Sequence, residues 1–376
     1  MLRVILMIDY SSEYDRKLLR GIMRYSKENG PWAFYRISSE PMTGDSQCRE
    51  VIRLAKRWKA DAIIGRWKDS ELKQLECLNI PIVLQNYHHR TTLYSSITGD
   101  YIGTGEMAAD YFYSKHFSNF AFFGIAGIVW SDERLSGFKD RVCSRGGAFS
   151  KYEISEIGNV DRSQIAQWLK SLPVHTALFC CDDQRALMIT EICRVENIDV
   201  PSQISVLGVD NDDLLCCISD PQISSIRLDE EEGGYKLCKS LHRQILSPET
   251  GRFSIVINPI GVVERNSTSY NLSDKVVARL VEYLDAHYSQ PITVEKMLED
   301  VPLSRRSIET RFKKAMGVSI YQYVLDCRIK KVAQLLRTTN RSLQEISAEA
   351  GISDYNSLLR LFKKTMHCTP SEYRRK

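Results

Sequence analysis

Long hydrophobic runs are absent from these 376 residues. None approaches the roughly 18–20 apolar residues that a membrane-spanning helix needs, so no membrane partner is expected. The opening MLRVILMIDY is too short for the apolar core of a signal peptide, meets Asp9 early and lacks a small-residue cleavage site. It reads as the buried first strand of a cytoplasmic protein. Among the 11 cysteines there is no C-x-x-C pair. Cys180–Cys181 and Cys216–Cys217 are adjacent, and neighbouring side chains on a strand point to opposite faces. Reduced, mostly buried thiols in a reducing compartment are the expectation, with neither metal nor cofactor. G-x-S-x-G, H-E-x-x-H and P-loop patterns are likewise missing, which removes the commonest hydrolase and nucleotide signatures. Gly103-Thr-Gly105-Glu-Met-Ala108 matches G-x-G-x-x-A, but no acidic residue follows about 20 positions on to hold a ribose. Helix packing is the plainer reason for those glycines. The Asp210–Asp213 run, DNDD, lacks the spacing and terminal Glu of a calcium loop.

The length suits two or three domains rather than one core, and charge divides the chain unevenly. Residues 271–376 hold 19 Lys and Arg against 12 Asp and Glu, whereas the remainder holds 32 against 35. A basic tail on a mildly acidic body points to a polyanion as the partner of the tail. The first 265 residues alternate short apolar strands with helices. Val4–Ile8, Trp32–Ile37, Ala62–Gly65, Pro81–Leu84, Phe120–Ile125, Ala177–Cys181 and Ser205–Val209 are the strands. The helices between them include Glu13–Asn29, Asp45–Lys59, Tyr101–Lys115, Ser163–Leu172 and Asp183–Val195. This rhythm predicts an α/β domain of two lobes, each a parallel sheet covered by helices, over residues 1–265. The polar stretch 266–272 reads as a linker, and everything in 273–376 reads as helix.

Two segments of the tail share one plan. Thr293–Ser304 followed by Arg305–Met316, and Ser342–Ser353 followed by Asp354–Met366, each read as a capped short helix, a tight turn and a second helix. In the second helices Ile308 and Phe312, like Leu358 and Phe362, sit four apart and face inward, with a Lys-Lys pair directly after. Arg305, Arg306, Glu309 and Thr310 then face outward, as do Tyr355, Asn356 and Arg360. Helices bearing such groups suit the major groove of duplex DNA, with Lys313 and Lys363 near phosphates. The apolar helix Ile320–Arg337 would fix the two reading helices relative to each other, so that they enter successive grooves. Leu303-Ser304, Phe312-Lys313-Lys314, Gly317-Val318-Ser319, Gly351 and Thr369-Pro370-Ser371-Glu372-Tyr373 make the tail resemble the AraC family of regulators over about 100 residues. That resemblance implies base contacts from the same two outward faces. Ile352 stands where the family usually has Phe, and it keeps an apolar anchor.

Two-lobed α/β domains bind small molecules where strands end, in the cleft. Polar residues just past the strands are therefore the candidates: Asp9 and Tyr10, Arg66, Asn86, Trp130 and Arg134, Asp182, and Asp210. Carboxylates accept from sugar hydroxyls, Arg donates a rigid fork, and Trp covers the C–H face of a sugar ring. Helix capping is the competing role for each Asp; the set together favours a polyhydroxylated ligand. Thr98–Gly103, Arg134–Phe138, Asp182–Ala186 and Pro201–Asn211 make this body similar to the sugar-sensing domain of LacI-type repressors and periplasmic pentose-binding proteins. The resemblance implies effector contacts from Asp100, Arg134, Asp182 and Asp210, although no N-terminal DNA-binding headpiece precedes the domain. A sugar sensor followed by an AraC-type tail is the arrangement of bacterial xylose-operon activators. It implies a pentose effector such as D-xylose, promoter DNA, a homodimer and RNA polymerase as partners. The alternative is a sugar-acting α/β enzyme with an accessory helical domain, which turnover of a pentose would reveal.

Overall fold

The strand–helix alternation resolves into two six-stranded sheets in the computed structural model. It describes all residues except 9–11, 38–44, 68, 86–89, 91, 116, 156–159, 248, 250, 270–274, 291–302, 317, 340, 353, 367 and 376. Contacts divide the chain into Met1–Ser269 and Tyr270–Lys376. In the first unit the strands are β1 (Leu2–Met7), β2 (Trp32–Arg36), β3 (Ala62–Gly65), β4 (Ile82–Gln85), β5 (Ser95–Gly99), β6 (Asn119–Ile125), β7 (Ala148–Ile154), β8 (Thr176–Cys180), β9 (Ile204–Val209), β10 (Ser224–Leu228), β11 (Ser254–Ile257) and β12 (Pro259–Val263). The helices are α1 (Glu13–Glu28), α2 (Asp45–Trp58), α3 (Asp69–Leu75), α4 (Tyr101–Ser114), α5 (Val129–Cys143), α6 (Arg162–Ser171), α7 (Asp183–Val195), α8 (Asp213–Ile218) and α9 (Glu230–Leu246).

One sheet runs β11-β5-β4-β3-β1-β2 and the other β12-β10-β9-β8-β6-β7. All pairings are parallel except β10 with β12. Central strands buried on both faces read as continuous apolar runs, which is why β1, β3, β6, β8 and β9 stand out in the sequence. Strands β5 and β10 do not, because serines and threonines occupy buried places. Ser95, Ser96 and Thr98 are all buried. Their hydroxyls are satisfied by Gln244 Oε1 at 3.1 Å, Ser254 Oγ at 3.1 Å and Arg90 Nη1 at 3.1 Å respectively, so the polar strand costs little.

The chain crosses between the lobes three times, at Gly99–Tyr101, Leu228–Glu230 and Ile257–Pro259. Asp100 N donates to Ile257 O (2.8 Å) and Asp229 N to Asn258 O (3.0 Å), binding the three crossings into one narrow hinge. The polar run expected to begin the linker is instead part of this unit up to residue 269. Ser267 and Thr268 are buried; Ser267 Oγ donates to Val206 O (2.6 Å), and Thr268 Oγ1 lies 2.6 Å from both Ser224 Oγ and Tyr111 Oη. Polar composition misled the reading there because those hydroxyls are spent on the sheet edge.

The second unit has two small cores sharing one helix, Ile320–Thr338. Its first turns give Ile320 and Val324 to a core with Val277, Leu284, Ile308, Phe312 and Met316. Its later turns give Ile329, Val332, Leu335 and Leu336 to a core with Ile346, Ile352, Leu358 and Phe362. Each core closes with an edge-on aromatic pair eleven residues apart, Phe312–Tyr323 at 5.6 Å and Phe362–Tyr373 at 5.5 Å. The first short helix expected from Thr293 lies outside the described residues.

Gly105 explains the G-x-G-x-x-A pattern. A Cβ there would lie 2.2 Å from Arg134 O and 2.6 Å from Phe138 N, so the missing side chain lets α5 pack on the backbone of α4. Helix propensity alone assigns Gly→Ala a gain of about 1 kcal/mol. Gly105→Ala is expected instead to destabilise the unit by about 1–3 kcal/mol, read in chemical denaturation, because overpacking against backbone outweighs propensity.

A candidate ligand cleft and a candidate DNA interface

The C-terminal ends of the strands in both lobes face a common cavity of about 220 Å³. From the first lobe come Ser12, Glu13 and Tyr14 at the start of α1, Arg66 after β3, and Gln85 at the end of β4. From the second come Tyr101, Trp130, Arg134, Asp182–Arg185, Asp210, Asp212 and Leu215.

The first lobe contributes a closed triangle of polar side chains. Arg66 donates from Nη2 to Asp15 Oδ2 (2.8 Å) and from Nε to Gln85 Oε1 (3.0 Å), while Gln85 Nε2 donates to Asp15 Oδ1 (2.9 Å). Asp15 is fully buried, in the first turn of α1 behind the N-cap Ser12. A buried charge is tolerable only with such partners. Sequence reasoning pointed to Arg66 but missed Gln85 as a cleft residue and Asp15 as the buried carboxylate that holds both. The signal for Asp15 was a carboxylate on the inward side of an amphipathic helix. Gln85 directly precedes Asn86, the residue singled out after that strand. Asn86, with Asp9 and Tyr10, lies outside the described residues.

In the second lobe Arg134 is 3% exposed. Its guanidinium sits 5.4 Å from the Trp130 ring centre and 5.5 Å from that of Tyr101. It donates from Nη1 to Cys181 O (2.5 Å) and pairs through Nη2 with Asp210 Oδ1 at 3.5 Å. Burial pushes the Asp210 carboxyl up to about 6, against the pull of Arg134. Burial, reinforced by Asp210, pushes the deeper Asp183 well above the carboxylate range, although it accepts from Ser225 Oγ (2.6 Å) and Asp212 N (2.8 Å). Burial thus raises both neighbouring acids above the ordinary carboxylate range. Three polar atoms at the wall, Tyr14 Oη, Arg134 Nε and Arg185 Nε, are buried without a partner among the described residues.

The aspartates expected to touch ligand part company. Asp210 faces the cavity beside Arg134. Asp182 lines it too, but one oxygen caps α7 by accepting from Arg185 N (2.8 Å) and the other accepts from Arg185 Nη1 (2.9 Å). Asp100 caps α4 at the first crossing, accepting from Gly103 N at 2.9 Å, and is not among the residues of the cavity wall. It follows β5 directly, so the strand end and the helix cap coincide there.

In the second unit, the helices Arg305–Met316 and Tyr355–Met366 bury Ile308, Phe312, Leu358 and Phe362 and expose the opposite face. Arg305, Arg306, Glu309, Thr310 and Lys313 are exposed on one; Tyr355, Asn356, Arg360 and Lys363 on the other. Ser304 Oγ accepts from Ser307 N (3.3 Å), and Asp354 Oδ2 from Ser357 N (2.8 Å). The caps correspond at a spacing of 50 residues, as do the buried anchors, so Arg306 matches Asn356 and Thr310 matches Arg360. Asp354 fills the cap expected near Ser353, which lies outside the described residues. Arg305 and Glu309 pair at 3.0 Å in the open, a contact too weak to resist a duplex. Lys313 and Lys363, directly after Phe312 and Phe362, are exposed at matching places on the two helices.

A ligand cleft in a two-lobed α/β domain, joined in one chain to paired helix-turn-helix units, defines a transcription regulator. Residues 109–268 match a family of periplasmic binding protein-like domains, and residues 297–376 match a helix-turn-helix domain family. The chain is a DNA-binding transcription regulator that joins a periplasmic-binding-protein-like body to a helix-turn-helix tail. It is similar to the Xylose operon regulatory protein of Escherichia coli K12, with 29% identity over 99% of this chain and 96% of that one. The Haemophilus influenzae protein of that name is 28% identical over 99% and 98%. A solved structure of the xylose-binding transcription activator xylR matches with a TM-score of 0.62 and 27% identity, covering 99% of this chain and 97% of that one. These relatives are regulators, and the enzyme alternative has no counterpart among them.

Arg306→Ala and Arg360→Ala are each expected to weaken binding to a cognate promoter fragment by about 1–3 kcal/mol, the cost of a lost bidentate base contact. Lys363→Ala should weaken binding to all duplexes alike and lower the salt slope by about one. Fluorescence anisotropy against promoter and random duplexes checks both, and unchanged affinities in the two Arg variants would remove the proposed reading faces.

Proposed function

We propose that the cleft binds a neutral pentose, D-xylose, and that its occupancy controls how a homodimer engages promoter DNA to activate transcription with RNA polymerase. The observation that carries the sugar reading is the paired Arg–Asp chemistry on both walls of one small cleft, with an indole alongside. Arg66, held from behind by Asp15 at 2.8 Å, lines one wall, and Arg134 and Asp210, paired at 3.5 Å, line the other. A sugar hydroxyl both donates and accepts, so it fits between such pairs. Trp130 offers an apolar face for the C–H side of the ring. Tyr14 Oη, Arg134 Nε and Arg185 Nε are donors left for the ligand among the described residues.

The cationic groups at the wall are each matched by a carboxylate: Arg66 by Asp15, Arg134 by Asp210 and Arg185 by Asp182. No surplus positive charge awaits an anion, so a sugar phosphate or an aldonate would be buried without a counter-ion. The similarity to the xylose regulators over nearly the whole chain supports D-xylose among the neutral pentoses. A ligand touching both walls favours the closed arrangement by its differential affinity for the two states. Closure about the three-stranded crossing is then the signal passed on to the tail. Asp9 and Tyr10, just past β1, belong to the same proposed ligand shell. A cytoplasmic location accords with the DNA partner.

Calorimetric titration of the full chain with D-xylose, its 5-phosphate and D-xylonate tests this, with binding expected for the first alone. Arg134→Ala should abolish sugar binding while the chain still binds DNA; a titration matching wild type would show that the cleft is misassigned. Acidification should weaken binding. Asp210 accepts as a carboxylate above about pH 6 and takes up a proton below it, so affinity should fall toward about tenfold per unit at lower pH. Asp210→Asn should bind more weakly and lose this pH dependence.

A further inference from the structure

Lys17 does not line the cavity, yet it is the point at which one lobe grips the other. It follows the cavity-lining turn of α1 and its side chain is only 16% exposed. Its ammonium reaches across to the second lobe, donating to Asp210 O at 2.5 Å and Asn211 O at 3.2 Å. Those two carbonyls face α1 because Asp210 and Asn211 both adopt left-handed backbone, at φ 98° and 47°. Such a conformation is costly for residues other than glycine and persists only when its surroundings hold it. Asp210 N donating to Ile226 O (2.9 Å) and Asn211 N to Ser225 Oγ (3.0 Å) hold it from the lobe side; Lys17 holds it from across the cleft. Arg16, in the same turn of α1, adds an ion pair to Asp212 at 3.3 Å.

A second resting place for the ammonium lies on its own lobe. Glu230, the first residue of α9 directly after the second crossing, is 1% exposed. Its Oε1 is 3.7 Å from Lys17 Nζ, beyond hydrogen-bond range, and has no hydrogen-bond partner among the described residues. That oxygen lacks a hydrogen bond, and burial pushes the Glu230 carboxyl up to about 8 against the pull of Lys17, so the buried group stands to gain from closer contact with the ammonium. Separating the lobes would strip Lys17 of both carbonyls and leave Glu230 as the partner in reach.

We infer that Lys17 is a two-position latch: bound to the Asp210 and Asn211 carbonyls it holds the cleft closed, and bound to Glu230 it holds the cleft open. The turn it grips also carries the Asp210 carboxylate at the cavity wall. Whatever engages that carboxylate therefore stiffens the latch seat, which makes Lys17 a positioning residue acting through Asp210. The device rests on the ligand-cleft reading, but not on the identity of the sugar.

The test uses full-length protein carrying Lys17→Met, Lys17→Arg or Glu230→Gln. Without sugar, backbone amides of residues 209–216 should exchange about tenfold faster in Lys17→Met, the scale of one charge-assisted hydrogen bond, and more slowly than wild type in Glu230→Gln. With D-xylose as probe and tryptophan fluorescence as signal, Lys17→Met should raise the dissociation rate about tenfold. Its association rate and its order of preference among D-xylose, D-ribose and L-arabinose should not change. Lys17→Arg should restore most of the slow dissociation, and Glu230→Gln should slow it further. Opposite signs for Lys17→Met and Glu230→Gln separate a latch from a general packing role. Shifts of the same sign, or a Lys17→Met protein identical to wild type in exchange, overturn it. Absence of any D-xylose signal in wild type would count against the sugar reading, and the exchange arm would still decide the latch. Should Lys17→Met fail to fold, the slower exchange expected of Glu230→Gln decides alone.

Discussion

The burial of Arg134 organises the first unit. A guanidinium cannot be stripped of water without replacement partners, and here they come from four separate elements. Trp130 shares its helix, Tyr101 opens α4, Cys181 ends β8 through its carbonyl, and Asp210 ends β9. Each needs the strand ends of the second lobe in register. The helix bearing Arg134 reaches its place only because Gly105 allows backbone-to-backbone contact with α4. One buried charge thus ties helix packing, sheet order and the chemistry of the cleft together, and Asp15 plays the corresponding part with Arg66 and Gln85 on the facing wall.

The two units solve the problem of communication differently. The first concentrates flexibility in three short crossings bonded to each other, so a small change of torsion there moves a whole sheet. The second removes flexibility by running one helix, Ile320–Thr338, through both of its cores. Arg328 strengthens that rigidity by donating to Tyr288 O (2.7 Å) and Gln290 O (2.9 Å), just past the helix Lys275–His287. Gly351, at φ 79°, brings the turn of the second repeat against Ser289, where a Cβ would lie 2.3 Å from its carbonyl oxygen. A hinged sensor and a stiff reader are complementary: movement made in one is of use only if the other keeps its spacing.

Much of the fold was legible because central parallel strands must be apolar on both faces. Ala62–Gly65 was read to the residue, and β1, β6, β8 and β9 within two. Of the strands that escaped notice, β5, β10 and β11 carry hydroxyls whose partners lie far along the chain, as with Ser96 and Ser254 or Ser224 and Thr268. The same cause misplaced the start of the linker, since Ser267 and Thr268 look like loop residues until Val206 and Ser224 are beside them. In the cleft, Arg134, Trp130 and Asp210 were visible as polar residues past strand ends, whereas Asp15 was hidden inside a helix and Asp100 proved to be a cap.

Local periodicity, capping residues and the repeat of anchors determined by themselves that the body is α/β, that the tail is a doubled helix-turn-helix, and which helix faces point outward. Those properties follow from side-chain spacing on a single element, which sequence displays directly. Only the tertiary structure decided which aspartate faces the ligand and which caps a helix, that Asp15 meets Gln85, and that Lys17 spans the cleft. These depend on distances between residues 70 to 194 positions apart, and such distances are set by how strand ends and crossings converge, not by any local pattern.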